Sequence, residues 1–254
     1  MGLDVTRRPV RVLNGDFDPL TLGQTVDRVF DLVNSPERGW LCTVNVAILM
    51  MMRTDPQLRR FVDGSACTVA DGQPIVWLAR LFRTPLPERV TGIDLIEQVC
   101  RRAATEDVGV HLLGASRTII DEVAAQFRES LPTLRISHDD GYFDVAESSS
   151  RAEAVAESGA RVLIVGMGVP RQEEFIENYW ETFGVDVAIG VGGSFDVIAG
   201  LRTRAPLWMQ EHGLEWVHRL REEPRRLFGR YLSTGARFFV LAARALVLPR
   251  YRNR

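Results

Sequence analysis

The chain has 254 residues, of which 46% are hydrophobic and 25% charged, and this balance is typical of a folded globular protein and excludes a disordered one. The net charge of −2 hides an asymmetry, because residues 219–254 hold ten arginines against two acidic residues, and the chain has no lysine. Three cysteines without CxxC spacing, a polar N-terminal segment and apolar runs shorter than the ~18 residues of a membrane span predict a cytoplasmic protein that does not cross a bilayer.

Short apolar runs alternate with longer amphipathic ones along the first part of the chain, which is typical of βα units around a mostly parallel sheet. Two cap signals support the helices: Thr21 precedes one periodic segment, and Asp55 precedes Pro56 at the start of another. The predicted elements are a strand at 10–13, a helix at 21–33, a strand at 40–44, a buried helical segment at 46–52, a helix at 57–62 and a strand at 66–70.

Glycines follow the next three predicted strands, at residues 110–113, 162–165 and 185–189. A glycine-rich turn between a strand and a helix lets backbone N–H groups approach a phosphate, and the helix dipole favours the anion. We therefore predict a Rossmann-like, mostly parallel α/β sheet flanked by helices in residues 1–205. A composition change near Pro206 marks a basic helical appendage in residues 206–254.

Several common site motifs are weak or missing. The run 166–170 begins like a dinucleotide fingerprint, but it lacks the third glycine and the acidic residue ~20 positions later, so a dehydrogenase is a distant alternative. A Walker A loop needs the lysine that this chain lacks. Asp16-Phe17-Asp18 has the spacing of a metal-binding pair, yet we interpret it as a turn because it directly follows the first strand. Residues 138–140 and 148–150 are interpreted as a solvated turn and a surface loop.

Polar side chains stand where strands of the predicted sheet end. Each has a structural explanation of its own: Thr43 and Asn45 as helix caps, Asp71 as a cap for the helix opened by Pro74, and Arg89 as a surface ion pair. Because the carboxyl ends of parallel strands meet at one edge, which is where open α/β sheets bind ligands, their convergence indicates a site. The set comprises Thr43, Asn45, Asp71, Arg89, Asp94, Gln172, Glu173 and Asp196.

In order along residues 10–231, the motifs of this chain resemble the WecG/TagA/CpsF glycosyltransferase family. The stretches that carry the resemblance are Thr43-Val44-Asn45, Ala70-Asp71-Gly72, 89–94, 166–173, 192–196, Arg204-Ala205-Pro206, 213–216, Arg219-Leu220 and Pro224-Arg225-Arg226.

The resemblance implies an inverting, metal-independent enzyme that needs no cofactor. Such an enzyme moves a hexose or N-acetylaminohexose of the ManNAc type from a UDP-sugar to a polyprenyl-diphosphate-linked sugar, in cell-surface polysaccharide synthesis at the inner face of the cell membrane. The alternative is a non-catalytic nucleotide-binding or membrane-scaffold protein that keeps the pocket without turnover.

The resemblance also implies roles for individual residues. Asp71 matches the general base, while Thr43 and Arg89 complete the candidate catalytic set. One carboxylate suffices to take a proton from the acceptor, and guanidinium groups with backbone N–H donors can meet the charge of the leaving UDP. The implied substrate-binding residues are Asn45, Gly168, Gln172, Glu173 and Gly193; Gly141, Tyr142 and Asp196 at the uridine end; and Arg219, Arg225, Arg226 and Arg230 over the diphosphate.

A continuous helix from Arg226 would gather basic and apolar side chains. Arg226, Arg230, Arg237 and Arg244 would fall within ~40° of one another, beside Phe238, Phe239, Leu241, Leu246 and Leu248. This pattern suits an anionic membrane surface. The alternatives are a core-packed helix with a solvated arginine face, or phosphate contacts with nucleic acid. Because the implied acceptor is membrane-bound, we expect the membrane and no nucleic acid; packing against a second subunit, as a homo-oligomer, stays open.

Overall fold

The structure, a computed structural model, describes residues 8–211, 214–222 and 224–247. A six-stranded parallel sheet has the strand order β4-β3-β8-β7-β5-β6, and a separate antiparallel hairpin pairs β1 with β2. The strands are β1 Val10–Val12, β2 Gly15–Phe17, β3 Gly39–Val44, β4 Cys67–Ala70, β5 Val110–Gly114, β6 Ile136–Asp139, β7 Val162–Gly166 and β8 Val187–Gly190.

Helices cover both faces of the sheet, so its central strands are buried on both sides, as parallel sheets require. Side chains of α1, α5 and α6 form the core on one face, and those of α2, α3, α4, α7, α8 and α12 form the core on the other. The helices are α1 Leu22–Val33, α2 Val46–Met51, α3 Pro56–Asp63, α4 Gln73–Leu81, α5 Gly92–Thr105, α6 Arg117–Ser130, α7 Ser148–Glu157, α8 Arg171–Phe183, α9 Ser194–Ile198, α10 Leu207–Glu211, α11 Glu215–Glu222 and α12 Pro224–Val247.

The predicted cap signals act as expected. Thr21 forms a capping box with Gln24 at the start of α1. Asn45 accepts hydrogen bonds from the first N–H groups of α2, and Asp55 does the same for α3, whose first residue is Pro56. Each cap satisfies donors that the first helical turn leaves without a partner.

The three cysteines are buried and unpaired. Burial raises the pKa of each thiol, which keeps it in the neutral form. The prediction that they are small buried hydrophobic residues is therefore confirmed.

Two predicted turns and a predicted loop are wrong. Asp16 lies in β2, where it pairs with Arg11 at 2.5 Å, and Asp18 accepts a hydrogen bond from the Thr68 N–H at 2.8 Å. These carboxylates therefore fix the hairpin and tie it to β4. His138 and Asp139 belong to the edge strand β6, and residues 148–150 form the first turn of α7.

The predicted fold class is confirmed, because a parallel sheet between helical layers is followed by a C-terminal helical region. Phe238, Ala242 and Ala245 of α12 are buried in the core that α2 helps to form. Within the described ranges, every helix is too short or too polar to cross a membrane. The boundary at residue 205 stays a prediction.

Candidate active site

The strand order defines a crevice at the carboxyl edge of the sheet. From β5 the chain moves outward to β6, whereas from β7 it moves the other way to β8, and such a switch point is where open α/β sheets bind ligands. Gly166, at the end of β7, permits close packing there: a Cβ on it would lie 2.5 Å from the Phe195 ring and 2.9 Å from the Gly192 carbonyl oxygen. The Phe195 ring and the Gly192 backbone therefore pack directly against the β7 backbone at the centre of this edge.

A glycine turn (residues 190–193) follows β8, and two candidate site residues hold it in place. The Thr43 hydroxyl donates to the Gly190 carbonyl at 2.9 Å, and the Gln172 Oε1 atom accepts from the Gly192 N–H at 3.0 Å. Gly190 has no room for a side chain, because a Cβ would lie 2.8 Å from Gln172 Nε2. Thr43 and Gln172 are both buried, with 6% and 2% exposure, so these hydrogen bonds to the turn are shielded from water.

Asp71 is placed at the same edge by the strand before it. Its N–H donates to the Val44 carbonyl at 3.0 Å, and the next residue, Gly72, packs against the Asn45 backbone. The side chain of Asp71 is half-buried. Since β3 lies between β4 and β8, about 10 Å separate the ends of these two strands, which puts the Asp71 backbone and the glycine turn at the same carboxyl edge of the sheet.

Arg89 reaches this edge from the loop before α5. The neighbouring Val90 N–H donates to the Ala70 carbonyl at 2.9 Å, which brings Arg89 beside Asp71. The Arg89 guanidinium forms an ion pair with Glu215 of α11. A second ion pair, 2.5 Å between Arg204 and Asp94, joins the segment before α10 to the start of α5.

Glu173 lies next to Gln172 in the sequence, but its side chain lines a crevice between two helices. Its side chain is buried with 7% exposure, and it lines a crevice between α3 and α8 with Asp55, Glu174 and Glu177. Burial raises the pKa of Glu173 to about 7, while its hydrogen bond from Gln172 acts in the opposite direction. A direct contact of Glu173 with substrate stays a prediction.

Gly141 and Tyr142 follow the edge strand β6, at the other end of the sheet from Asp71. The Gly141 N–H donates to the Ala115 carbonyl at 2.8 Å, and the Tyr142 ring is 76% exposed. Before them, Asp139 and Asp140 are both held by Arg117 and Arg151. These ion pairs fix the loop that presents Tyr142 to solvent.

The remaining candidates fall into two groups. Gly168, with φ of +81°, lies in the turn between β7 and α8, while Gly193 and Asp196 begin α9, where Asp196 pairs with Arg202 at 3.4 Å. Arg219, Arg225, Arg226 and Arg230 lie in α11 and α12, but their side chains are outside the described part of the structure.

The structure therefore gathers Thr43, Asn45, Asp71, Arg89, Gln172 and Gly193 at one edge, and it places Gly141 and Tyr142 at the far side of that edge. Sequence reasoning missed two participants, Glu215 and Arg204, as partners of Arg89 and Asp94. Both stand in stretches that carried the family resemblance, but a sequence does not reveal their partners. Among the described residues, no group of three or more His, Cys, Asp or Glu side chains is arranged to hold a metal ion.

An open parallel sheet whose carboxyl edge carries a glycine turn, a half-buried carboxylate and a guanidinium group is typical of α/β enzymes that bind their ligands at this edge. The family model described as the glycosyl transferase WecG/TagA/CpsF family matches residues 10–252. The chain therefore belongs to this family, as the resemblance indicated.

Curated relatives agree with this assignment. The chain is similar to the N-acetylglucosaminyldiphosphoundecaprenol N-acetyl-β-D-mannosaminyltransferases of Staphylococcus aureus strains NCTC 8325 / PS 47 and COL, with 29% identity over 212 residues, which is 83% of each chain. The protein of the same name from strain MRSA252 matches with the same identity and coverage.

Proposed function

We propose that this protein transfers an N-acetylmannosamine-type sugar from UDP to a sugar linked to a polyprenyl diphosphate. The observation that carries the proposal is the match of the family model to residues 10–252, with relatives of this named activity similar over 83% of the chain. A cell-surface polymer as the destination of the product follows from the same likeness, and a hexose donor is the alternative that the family resemblance leaves open.

Asp71 acts as the general base in this proposal. It takes the proton from the acceptor hydroxyl while that oxygen attacks the anomeric carbon and the bond from this carbon to the UDP oxygen breaks. Attack from the face opposite UDP inverts the anomeric configuration. The half-buried position of Asp71 at the open edge, beside Asn45 and Arg89, supports this role.

The leaving UDP carries the electron pair and additional negative charge. Backbone N–H groups at the glycine-lined edge and the arginines of the appendage are the groups that would stabilise it without a metal. Gly168, Gly193 and Asp196 would serve the donor, with Gly141 and Tyr142 at its uridine end. Arg219, Arg225, Arg226 and Arg230 would cover the diphosphate.

We further propose that the appendage (residues 206–254) binds the inner face of the cell membrane. Arg237 and Arg244 are exposed on α12. Beside them, Phe239, Val240, Leu246 and Val247 expose between 47% and 77% of their surface and span about 120° of the helix. Phe238 and Leu241, in contrast, pack toward the core. A basic rim beside an exposed apolar face suits an anionic bilayer that also carries the lipid-linked acceptor.

A screen of purified full-length protein against UDP-sugars tests the proposal. The acceptor is a synthetic lipid-diphosphate N-acetylglucosamine, and released UDP is measured with and without EDTA. We expect UDP release only when donor and acceptor are both present, fastest with UDP-ManNAc and unchanged by EDTA. UDP-sugar binding without transfer would instead favour the non-catalytic nucleotide-binding alternative.

A further inference from the structure

Glu173 is a buried carboxyl group that contacts the residue holding the glycine turn. Its Oε1 atom accepts a hydrogen bond from Gln172 Nε2 at 2.8 Å. Its Oε2 atom is buried and has no hydrogen-bond partner among the described residues. An unsatisfied buried carboxylate oxygen costs free energy, so the position calls for a compensating role.

The Gln172 amide has one accepting end and one donating end, and the two ends are used differently. Its Oε1 atom accepts from the Gly192 N–H at 3.0 Å, while its Nε2 atom donates to Glu173. A carboxylate only accepts hydrogen bonds, so it attracts the NH₂ end and leaves the oxygen end for Gly192. In the reversed orientation, the Gln172 NH₂ group would face the Gly192 N–H, and two donors cannot bond.

Protonation of Glu173 would remove this selection. A protonated carboxyl can donate to Gln172 Oε1 and thereby stabilise the reversed amide. The titratable groups around Glu173 are acidic or neutral: Asp55 at the N-cap of α3, Glu174 and Glu177 on α8, and the Cys42 thiol on β3. Burial among them raises the pKa of Glu173 to about 7.

We propose that Glu173 is a positioning residue, whose carboxylate sets the orientation of the Gln172 amide and through it the backbone of the glycine turn at the end of β8. The effect on the turn follows from the contacts alone. The effect on sugar transfer rests on the proposed function, because only there does the turn serve a donor diphosphate.

Selective [¹⁵N]glycine labelling of the full-length protein gives a readout at the turn itself. In the wild type, we expect the Gly192 amide resonance to titrate with a midpoint near the pKa of Glu173, which is about 7. Glu173→Gln should abolish this titration and hold the resonance near its low-pH position, because a glutamine amide, like a protonated carboxyl, can donate to Gln172 Oε1 at every pH. The matched control Glu174→Gln removes an exposed carboxylate from the next position. The Gly192 titration should persist in this variant, with its midpoint moved to lower pH, because the Glu174 charge helps to raise the pKa of Glu173.

Two results would overturn the proposal: a Gly192 resonance that does not titrate in the wild type between about pH 5.5 and 8.5, or one that titrates equally in Glu173→Gln. A kinetic readout is independent of these. We divide the kcat/KM of the wild type by that of Glu173→Gln at each pH. This ratio should fall about tenfold from about pH 8.5 to about pH 5.5, mainly because the KM of the wild type for the donor rises. A Gly192 titration in a protein without transferase activity would retain the positioning role and refute the proposed function instead.

Discussion

Arg89 at the sheet edge and Glu215 of α11 form an ion pair in which both side chains are largely buried, with 14% and 9% exposure. This contact joins the appendage to the loop beside Asp71, across 126 positions of sequence. A guanidinium so placed is already neutralised before any substrate arrives. The position of α11 and the charge available at the edge are therefore coupled.

Removing either partner leaves a buried charge without its counterion. We expect Arg89→Ala and Glu215→Ala each to lower the free energy of unfolding by about 3 kcal/mol. The double variant should lose less than the sum, with a coupling of at least ~1 kcal/mol in a urea-unfolding cycle. The exposed ion pair of Arg59 and Asp63 is the control, and its cycle should give less than ~0.5 kcal/mol.

The stability contribution of Glu173 should depend on pH. Its folded pKa of about 7 lies above the ordinary value of 4.5, so the folded state holds the proton longer than the unfolded state. Stability therefore falls as pH rises from about 4.5 to 7, by up to ~3 kcal/mol. Glu173→Gln should unfold at a higher temperature than the wild type at pH 8, with the advantage gone at pH 5. An equal shift at both pH values would show that its carboxylate is not desolvated in the folded protein.

The closely packed Gly166 at the end of β7 should not tolerate a methyl group. Gly166→Ala places a Cβ against the buried Phe195 ring and should lower the free energy of unfolding by about 1–3 kcal/mol. Gly23→Ala is the control, because this exposed position in α1 has no atom within 4 Å of the added carbon. That control should be neutral or stabilising by up to ~1 kcal/mol. Calorimetry of both variants measures the difference, and similar values would argue against close packing at Gly166.

The exposed apolar face of α12 should contribute to membrane binding. The pair of substitutions Phe239→Ser and Val247→Ser should lower partitioning into vesicles with anionic lipid by at least about tenfold, since each removes apolar area from the bound state. The control is Val145→Ser, because Val145 is 90% exposed but lies before α7, outside the appendage. This variant should bind like the wild type. Equal binding of all three proteins in vesicle sedimentation would contradict a role for this face.

Local signals in the sequence predicted local structure well. Caps such as Thr21, Asn45 and Asp55 act on N–H groups two or three residues away, so the sequence contains both partners of each contact. The sequence analysis did not predict the edge strand β6, because its four residues are only half-buried and include a single aliphatic residue, Ile136. A strand with so little apolar surface has no pattern to detect.

Long-range contacts could not be predicted in this way. Thr43 and Gln172 were expected to line the pocket, and the structure shows that they also bond the glycine turn, from 147 and 20 positions away. Which acidic residue pairs with Arg89 depends on where the appendage packs, and no periodicity in the sequence specifies that. The location of Asp71 at the carboxyl edge was predictable, because it follows from the strand-then-helix order alone.

The central claim is that the Asp71 carboxylate removes the proton of the acceptor hydroxyl. Turnover of UDP-ManNAc and lipid-diphosphate N-acetylglucosamine by Asp71→Asn, with donor affinity measured by calorimetry on the same protein, tests it most directly. The account predicts a kcat lower by roughly 10²- to 10⁴-fold with nearly unchanged donor affinity. An Asp71→Asn variant that transfers sugar at the wild-type rate would contradict it.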